Sequence, residues 1–208
     1  MSASDGDGEK RYEDELRFRA KRELRKRMRS VRAAIPPSAI AQRSRSIIDR
    51  IVTLDAWSTA KTVALFMSLP DEVQLAELIR IAREEHKRVA LPIVIDGAKA
   101  LTFRAPFDGA IEHAMVTSAF GIQEPADDAP PVAPEEIDLV IVPALAIDPR
   151  GHRIGYGAGF YDHTLTQMTR ASSVAVAFDF QLIAEVPIRA DDVPVTWNGT
   201  DARVMRAE

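Results

Sequence analysis

The sequence predicts an α/β domain: a three-layer sandwich with a largely parallel central sheet and helices on both faces. Three observations carry this. Residues 63–67 and 137–142 are short runs that are apolar almost throughout, as strands buried on both faces require. Segments of helical character stand between the strand-like runs, the order that produces parallel pairing. No internal repeat or clear linker divides the 208 residues, a length that can bury one sizeable core. Residues 9–208 are therefore expected to form a single domain. Residues 1–8, small, polar and Gly/Asp-rich, are expected to be a disordered tail.

Residues 9–34 contain neither Gly nor Pro and are dominated by strong helix formers. Leu24, Met28, Val31 and Ile35 recur there at helical spacing and define one apolar stripe. Pro36-Pro37 ends this helix. Ser38 is placed to cap a second helix reaching about residue 54, with Ile40, Ile47, Ile48 and Ile51 facing inward. Next come a buried strand at 63–67, a helix at 73–85, a strand region at 88–95 interrupted by Pro92, and an edge strand at 99–104. Residues 105–136, rich in Pro, Asp and Ala, read mainly as loop. Residues 137–142 form a further strand, followed by 145–147. A helix at 160–168, a strand at 173–178 and a short helix at 181–185 complete the predicted elements.

Composition excludes several functions. There is no cysteine, hence no disulfide, thiolate nucleophile, Cys-bound zinc or iron–sulfur cluster. No apolar run approaches the roughly 20 residues of a membrane span, and residues 1–10 lack the apolar core of a signal peptide, so no membrane association and a cytoplasmic location are expected. Lys+Arg is 27 and Asp+Glu is 31, a net charge of -4. That balance opposes a general nucleic-acid binder, although residues 10–32 hold 11 Lys/Arg against 4 Asp/Glu.

Chemistry concentrates in residues 148–162. Four of the 10 glycines lie within nine residues: Gly151, Gly155, Gly157 and Gly159. They follow a strand region and lead into a helix, so the backbone can approach a ligand closely and its N–H groups can converge on phosphate. Arg153 adds a fork-shaped cation for phosphate oxygens, and Asp162 is a carboxylate placed to hold Mg²⁺ beside them. The glycine spacing fits neither the P-loop nor G-x-G-x-x-G. Lys21 and Arg25, four apart on the first helix, flank the Leu24/Met28 stripe and can reach into a cleft. Most of the other cations there are expected on a solvated face. The histidines, His86, His113, His152 and His163, show no metal-ligand spacing.

Residues 148–162 resemble the signature of the 5-formyltetrahydrofolate cyclo-ligase (5,10-methenyltetrahydrofolate synthetase) family, roughly D-x-x-G-x-R-[LI]-G-x-G-x-G-[YF]-Y-D. Lys21-Arg-Glu-Leu-Arg25 resembles that family's K-x-x-L-R. Phe66-Met-Ser-Leu-Pro-Asp-Glu72, Phe120-Gly-Ile-Gln-Glu-Pro125 and Ile137-Asp-Leu-Val-Ile-Val-Pro143 are similar to its later segments, in order over about residues 20–195. The resemblance implies ATP- and Mg²⁺-dependent conversion of 5-formyltetrahydrofolate to 5,10-methenyltetrahydrofolate, with release of ADP and phosphate. It implies that Lys21, Arg25 and Arg153, with the stretch Ile154, Gly155, Tyr156, Gly157, Ala158, Gly159, Phe160 and Tyr161, hold ATP, and that Arg153 and Tyr161 are catalytic. Asp162 would serve the metal, while Met67, Glu72, Tyr156 and Phe160 would line the folate pocket. A monomer is expected, with no nucleic-acid or membrane partner.

Some positions depart from the pattern. Phe160 stands where the family often has Tyr, and Ala158 where it often has Gly. Near the C-terminus, Thr196 falls at a second expected aspartate and residues 197–201 read as an insertion, with Asp201 its replacement on a shifted register. These departures support a second reading, a paralogue that binds nucleotide and folate without efficient turnover. A third, a nucleic-acid-associated protein using residues 10–32, ranks lower because the rest of the chain is acidic.

Overall fold

A computed structural model describes residues 4–106, 115–117 and 121–208. In chain order the helices are α1 (Ser4–Ala33), α2 (Pro37–Ile51), α3 (Asp55–Thr59), α4 (Ala76–Glu84) and α5 (Phe160–Leu165). The strands are β1 (Thr62–Ala64), β2 (Arg88–Ile93), β3 (Thr102–Arg104), β4 (Met115–Thr117), β5 (Gln123–Pro125), β6 (Pro131–Val132), β7 (Leu139–Pro143), β8 (Ala146–Ile147), β9 (Arg153–Ile154), β10 (Ser172–Val176), β11 (Trp197–Gly199) and β12 (Val204–Arg206).

The main sheet has the order β12-β11-β10-β7-β1-β2-β3-β6. Its middle, from β11 to β2, is parallel throughout. The flanks, β12 on one side and β3 with β6 on the other, are antiparallel. Alternating residues feed two apolar layers. Val63, Leu139, Ile141, Val174 and Val176 join Ile47, Ile48, Ile51, Trp57 and Leu78 on one face. Ala64, Val140, Val142 and Ala175 join Phe103, Val132 and Met168 on the other. This is the predicted α/β sandwich, and it explains why the central strands are apolar at consecutive positions. A third, smaller cluster holds α1 through Met28 and Leu24 against Leu145, Ala146, Ile154 and Val186 beside the β8–β9 ribbon.

Order along the sheet locates the site. The connection from β1 through α4 to β2 runs to one side, and that from β7 through α5 to β10 runs to the other. Strand order thus reverses between β1 and β7, and ligands of open α/β sheets bind outside the carboxyl ends of the strands at such a point.

The structure revises several expected elements. α1 begins at Ser4, inside the segment expected to be disordered; no proline interrupts the chain there, and residues 1–3 lie outside the described residues. Val31 is 43% exposed because the neighbouring Arg32 takes the inward position, while Ile35 packs against the first apolar layer. Ser38 is not a cap: Pro36 precedes the helix and Pro37 opens it, its fixed φ suiting the first turn. α2 ends at Ile51, and the short α3 follows it.

α4 starts only at Ala76, since residues 73–75 run into the core, where Val73 and Leu75 are buried. The strand at 102–104 is not an edge, because β6 pairs beyond it. Within 105–136 the described residues form β4, β5, β6 and a 3-10 turn at Pro134–Glu136; residues 107–114 and 118–120, with His113 and Phe120, lie outside the described residues. The expected helix at 181–185 is a 3-10 turn at Asp179–Gln181. The next residues bond elsewhere, Ile183 N–H to the Ile147 carbonyl and Val186 N–H to Asp148. Residues 197–199 are not an insertion outside the fold but β11, a parallel neighbour of β10.

Candidate active site

A cleft of about 480 Å³ opens at the carboxyl ends of β1 and β7. Lys21 and Arg25 on α1, Met67, Glu72 and residues 153–162 all line it. The segment after β1, the glycine-rich turn between β9 and α5 and one face of α1 build most of it, and residues of β2, β5 and the 189–192 turn complete the wall.

The glycine-rich turn is shaped by its backbone. Gly159 precedes α5 at φ +74°, a left-handed conformation that other residues adopt at a cost. Gly157 sits at φ +114°, where an added Cβ would lie 3.6 Å from the Arg25 guanidinium carbon. No backbone N–H from Tyr156 to Gly159 meets an acceptor among the described residues, so these donors are available to a ligand.

Cations surround this turn. Arg25 donates to the Gly155 carbonyl at 3.0 Å, and burial, then Arg29, lowers its pKa. Arg153 is buried; it donates to Asp162 Oδ1 at 2.8 Å and to the Val193 carbonyl. Burial lowers its pKa too, against the pull of Asp162 and Asp192. Lys21, also buried, is ion-paired with Asp192 Oδ2. Burial, then Glu72, pushes the Tyr161 phenol upward, with Arg153 opposing, so it stays protonated and can donate a hydrogen bond.

The opposite wall centres on Glu72. Its Oε2 accepts from the Leu69 N–H at 2.8 Å, and its Oε1 accepts from the Tyr156 hydroxyl. Burial raises its pKa, while Tyr156, Leu69 and Arg32 pull the other way. Glu72 therefore does not cap α4, which starts four residues later. Met67 and Phe160 add apolar surface to the cleft.

Sequence reading missed Arg32. It is 3% exposed, donates to Asp71 at 2.9 Å and to the Tyr156 hydroxyl, and lies 3.8 Å from Glu72. Arg29 is exposed as expected, with its guanidinium carbon 5.0 Å from the Tyr156 ring centroid. The available signal was helical spacing: positions 21, 25, 28 and 32 share one face. Asp192 was missed as well, whereas Asp201 points elsewhere, accepting from Arg43 at 2.6 Å and from the Asp179 N–H at 2.7 Å.

The residues present fit a Mg²⁺ bound mainly through phosphate oxygens. Among the described residues no three His, Cys, Asp or Glu gather to hold a metal, but Mg²⁺ commonly takes only one or two carboxylates with phosphates and water. Asp162 takes both its hydrogen bonds on Oδ1 and Asp192 takes both on Oδ2, so each has an oxygen to spare at the cleft.

The sequence pattern of the 5-formyltetrahydrofolate cyclo-ligase family matches residues 17–198. The 5-formyltetrahydrofolate cyclo-ligase of Escherichia coli K12 is 30% identical over 180 residues, covering 85% of this chain and 98% of the relative. That of Haemophilus influenzae is 29% identical over 178 residues, covering 84% and 94%. The 5,10-methenyltetrahydrofolate synthetase of Aquifex aeolicus, solved by NMR, superposes with a TM-score of 0.78 at 31% identity, covering 89% of this chain and 92% of that one.

Proposed function

This chain belongs to the 5-formyltetrahydrofolate cyclo-ligase family and is a ligase, and on that premise we propose that it uses ATP and Mg²⁺ to close 5-formyltetrahydrofolate to 5,10-methenyltetrahydrofolate, releasing ADP and phosphate. One observation carries the reading: a single cleft joins a cation-lined glycine-rich turn to a buried carboxylate, Glu72.

Lys21, Arg25, Arg153 and the free N–H groups of residues 156–159 hold the triphosphate at one end. Glu72 accepts the paired N–H donors of the pterin at the other, which a carboxylate does well, and Phe160 and Met67 cover the ring. So held, the formyl oxygen attacks the γ-phosphorus and ADP leaves. The N10 nitrogen then attacks the activated carbon, and phosphate leaves with the former formyl oxygen. Such transfer is mostly positioning and charge neutralisation, so the absence of cysteine is no obstacle. Arg153 neutralises the charge that grows on the transferred group, and the Tyr161 hydroxyl donates a hydrogen bond to it. Mg²⁺, held by Asp162, would supply further neutralisation of the phosphate oxygens.

All these residues come from one chain, so a monomer suffices. The C-terminal departures that favoured a non-turning paralogue fall at Thr196, in β11 and in the turn after it, none of them lining the cleft, while Asp192 lies within it. The test is to incubate purified protein with 5-formyltetrahydrofolate and Mg-ATP and follow the absorbance of the methenyl product. Binding of both ligands without that product would return the paralogue reading.

A further inference from the structure

The reaction proposed above leaves one proton without an acceptor. When N10 closes on the activated carbon its N–H bond must break, and a positioned side chain usually takes such a proton. Among the described residues the cleft holds five carboxylates: Glu72, Glu124, Asp162, Asp191 and Asp192.

Four are committed. Glu72 accepts from the Leu69 N–H and the Tyr156 hydroxyl, with Arg32 3.8 Å away. Asp162 accepts from Arg153 and the Val193 N–H. Asp192 accepts from Lys21 and the Arg189 N–H. Asp191 sits at the exposed mouth, 3.6 Å from Arg189.

Glu124 differs. It lies on β5 and is 6% exposed. Among the described residues its one hydrogen bond is from the Val94 N–H to Oε1 at 3.4 Å, long for such a bond. No cation pairs with it among the described residues, and its neighbours on the cleft wall include Pro92, Val94, Leu101 and Ile122. A buried carboxylate with so few partners costs free energy unless something supplies a donor, and Glu124 lines the cleft.

Resting on the cyclisation reading, we infer that Glu124 is the general base that takes the N10 proton. The N10 lone pair forms the N10–C bond, and the N10–H proton passes to the Glu124 carboxylate. The C–O bond to phosphate then breaks, its electron pair leaving with the phosphate. Glu124 afterwards releases the proton to solvent.

Glu124→Gln keeps the shape and removes the base. The experiment measures ADP and methenyl product from 5-formyltetrahydrofolate and Mg-ATP for both proteins, with the affinity of each ligand by calorimetry. Affinities within ~3-fold of wild type are expected, with methenyl formation down by at least ~100-fold. ADP should then exceed methenyl product, because the phosphorylated formyl group waits for water instead of N10. Methenyl formation near the wild-type rate overturns the inference. So does a ~10-fold loss of folate affinity, which would make Glu124 a binding group, and so does a fall of ADP and product in strict one-to-one proportion. Should Glu124→Gln fail to fold, Glu124→Asp, which withdraws the carboxylate by one methylene, takes its place: slowed closure with continued ADP formation is expected, and unchanged turnover overturns the idea. Wild-type protein that makes no methenyl product at all would instead sink the cyclisation reading beneath it.

Discussion

Arg153 is the residue on which the proposed transfer depends most. Replacing it with alanine should lower turnover by about 10²–10³, the usual effect of losing one preorganised charge donor. Arg153 is buried against Asp162 and the Val193 carbonyl, so the variant should also melt earlier. Steady-state kinetics with a thermal melt checks both, and wild-type turnover would remove the guanidinium from the reacting phosphate. Glu72 makes a different kind of prediction. Burial raises its pKa above the ordinary 4.5, so its contribution to stability is present below that value and is lost as pH rises through the raised one. Wild type should therefore lose stability relative to Glu72→Gln as pH rises above 4.5, measured by urea melts below and well above that pH. The same variant should weaken folate binding by about 1–3 kcal/mol, since a glutamine amide would face a ligand donor, with ATP binding unchanged by calorimetry.

At the scale of elements, α1 works as a strap laid across the glycine-rich turn. Its inner face alternates anchors and ligands: Leu24 and Met28 pack on the third apolar cluster, while Lys21, Arg25 and Arg32 face Asp192, Gly155 and Tyr156. Lys21→Ala or Arg25→Ala should raise the KM for ATP by roughly 10-fold or more, the size of a lost charged hydrogen bond. Arg27→Ala, on the exposed side, should leave it unchanged, and equal small effects for all three would return α1 to a solvated helix. Arg32 shows where sequence reading stops. Spacing put it on the right face, but its partners Asp71 and Tyr156 are 39 and 124 residues away, and only the folded chain joins them. The turn at 148–162 was legible because clustered glycines and a cation are a local signal. β4, β5 and β6 were not, since strands of two or three residues carry no measurable periodicity. The same holds for β11, whose register depends on a neighbour more than 20 residues back.

For the whole molecule, the sheet and the strap divide the work. Both apolar layers lie on the sheet and, apart from Ile35 beyond its end, draw on no α1 residue. Among the described α1 side chains, those before residue 20 are exposed, Tyr12 and Leu16 included, and the family match begins at residue 17. Removing residues 1–15 should therefore leave turnover within ~2-fold, because nothing in the cleft is lost and exposed positions contribute little. Removing residues 1–34 is the sharper test. It uncovers Leu145, Ile154 and Val186 and takes away Lys21, Arg25 and Arg32, yet leaves both layers of the sheet intact. The shortened chain should still unfold cooperatively, at a lower midpoint, because the small third cluster supplies only a few apolar side chains at about 1.5–3 kcal/mol each. It should lose ATP binding, because the strap brings two of the three cations at the glycine-rich turn. Calorimetry and a denaturant melt separate these outcomes. Retained ATP affinity would mean that Arg153 and the backbone N–H groups suffice, and failure to fold would make α1 part of the core rather than a strap.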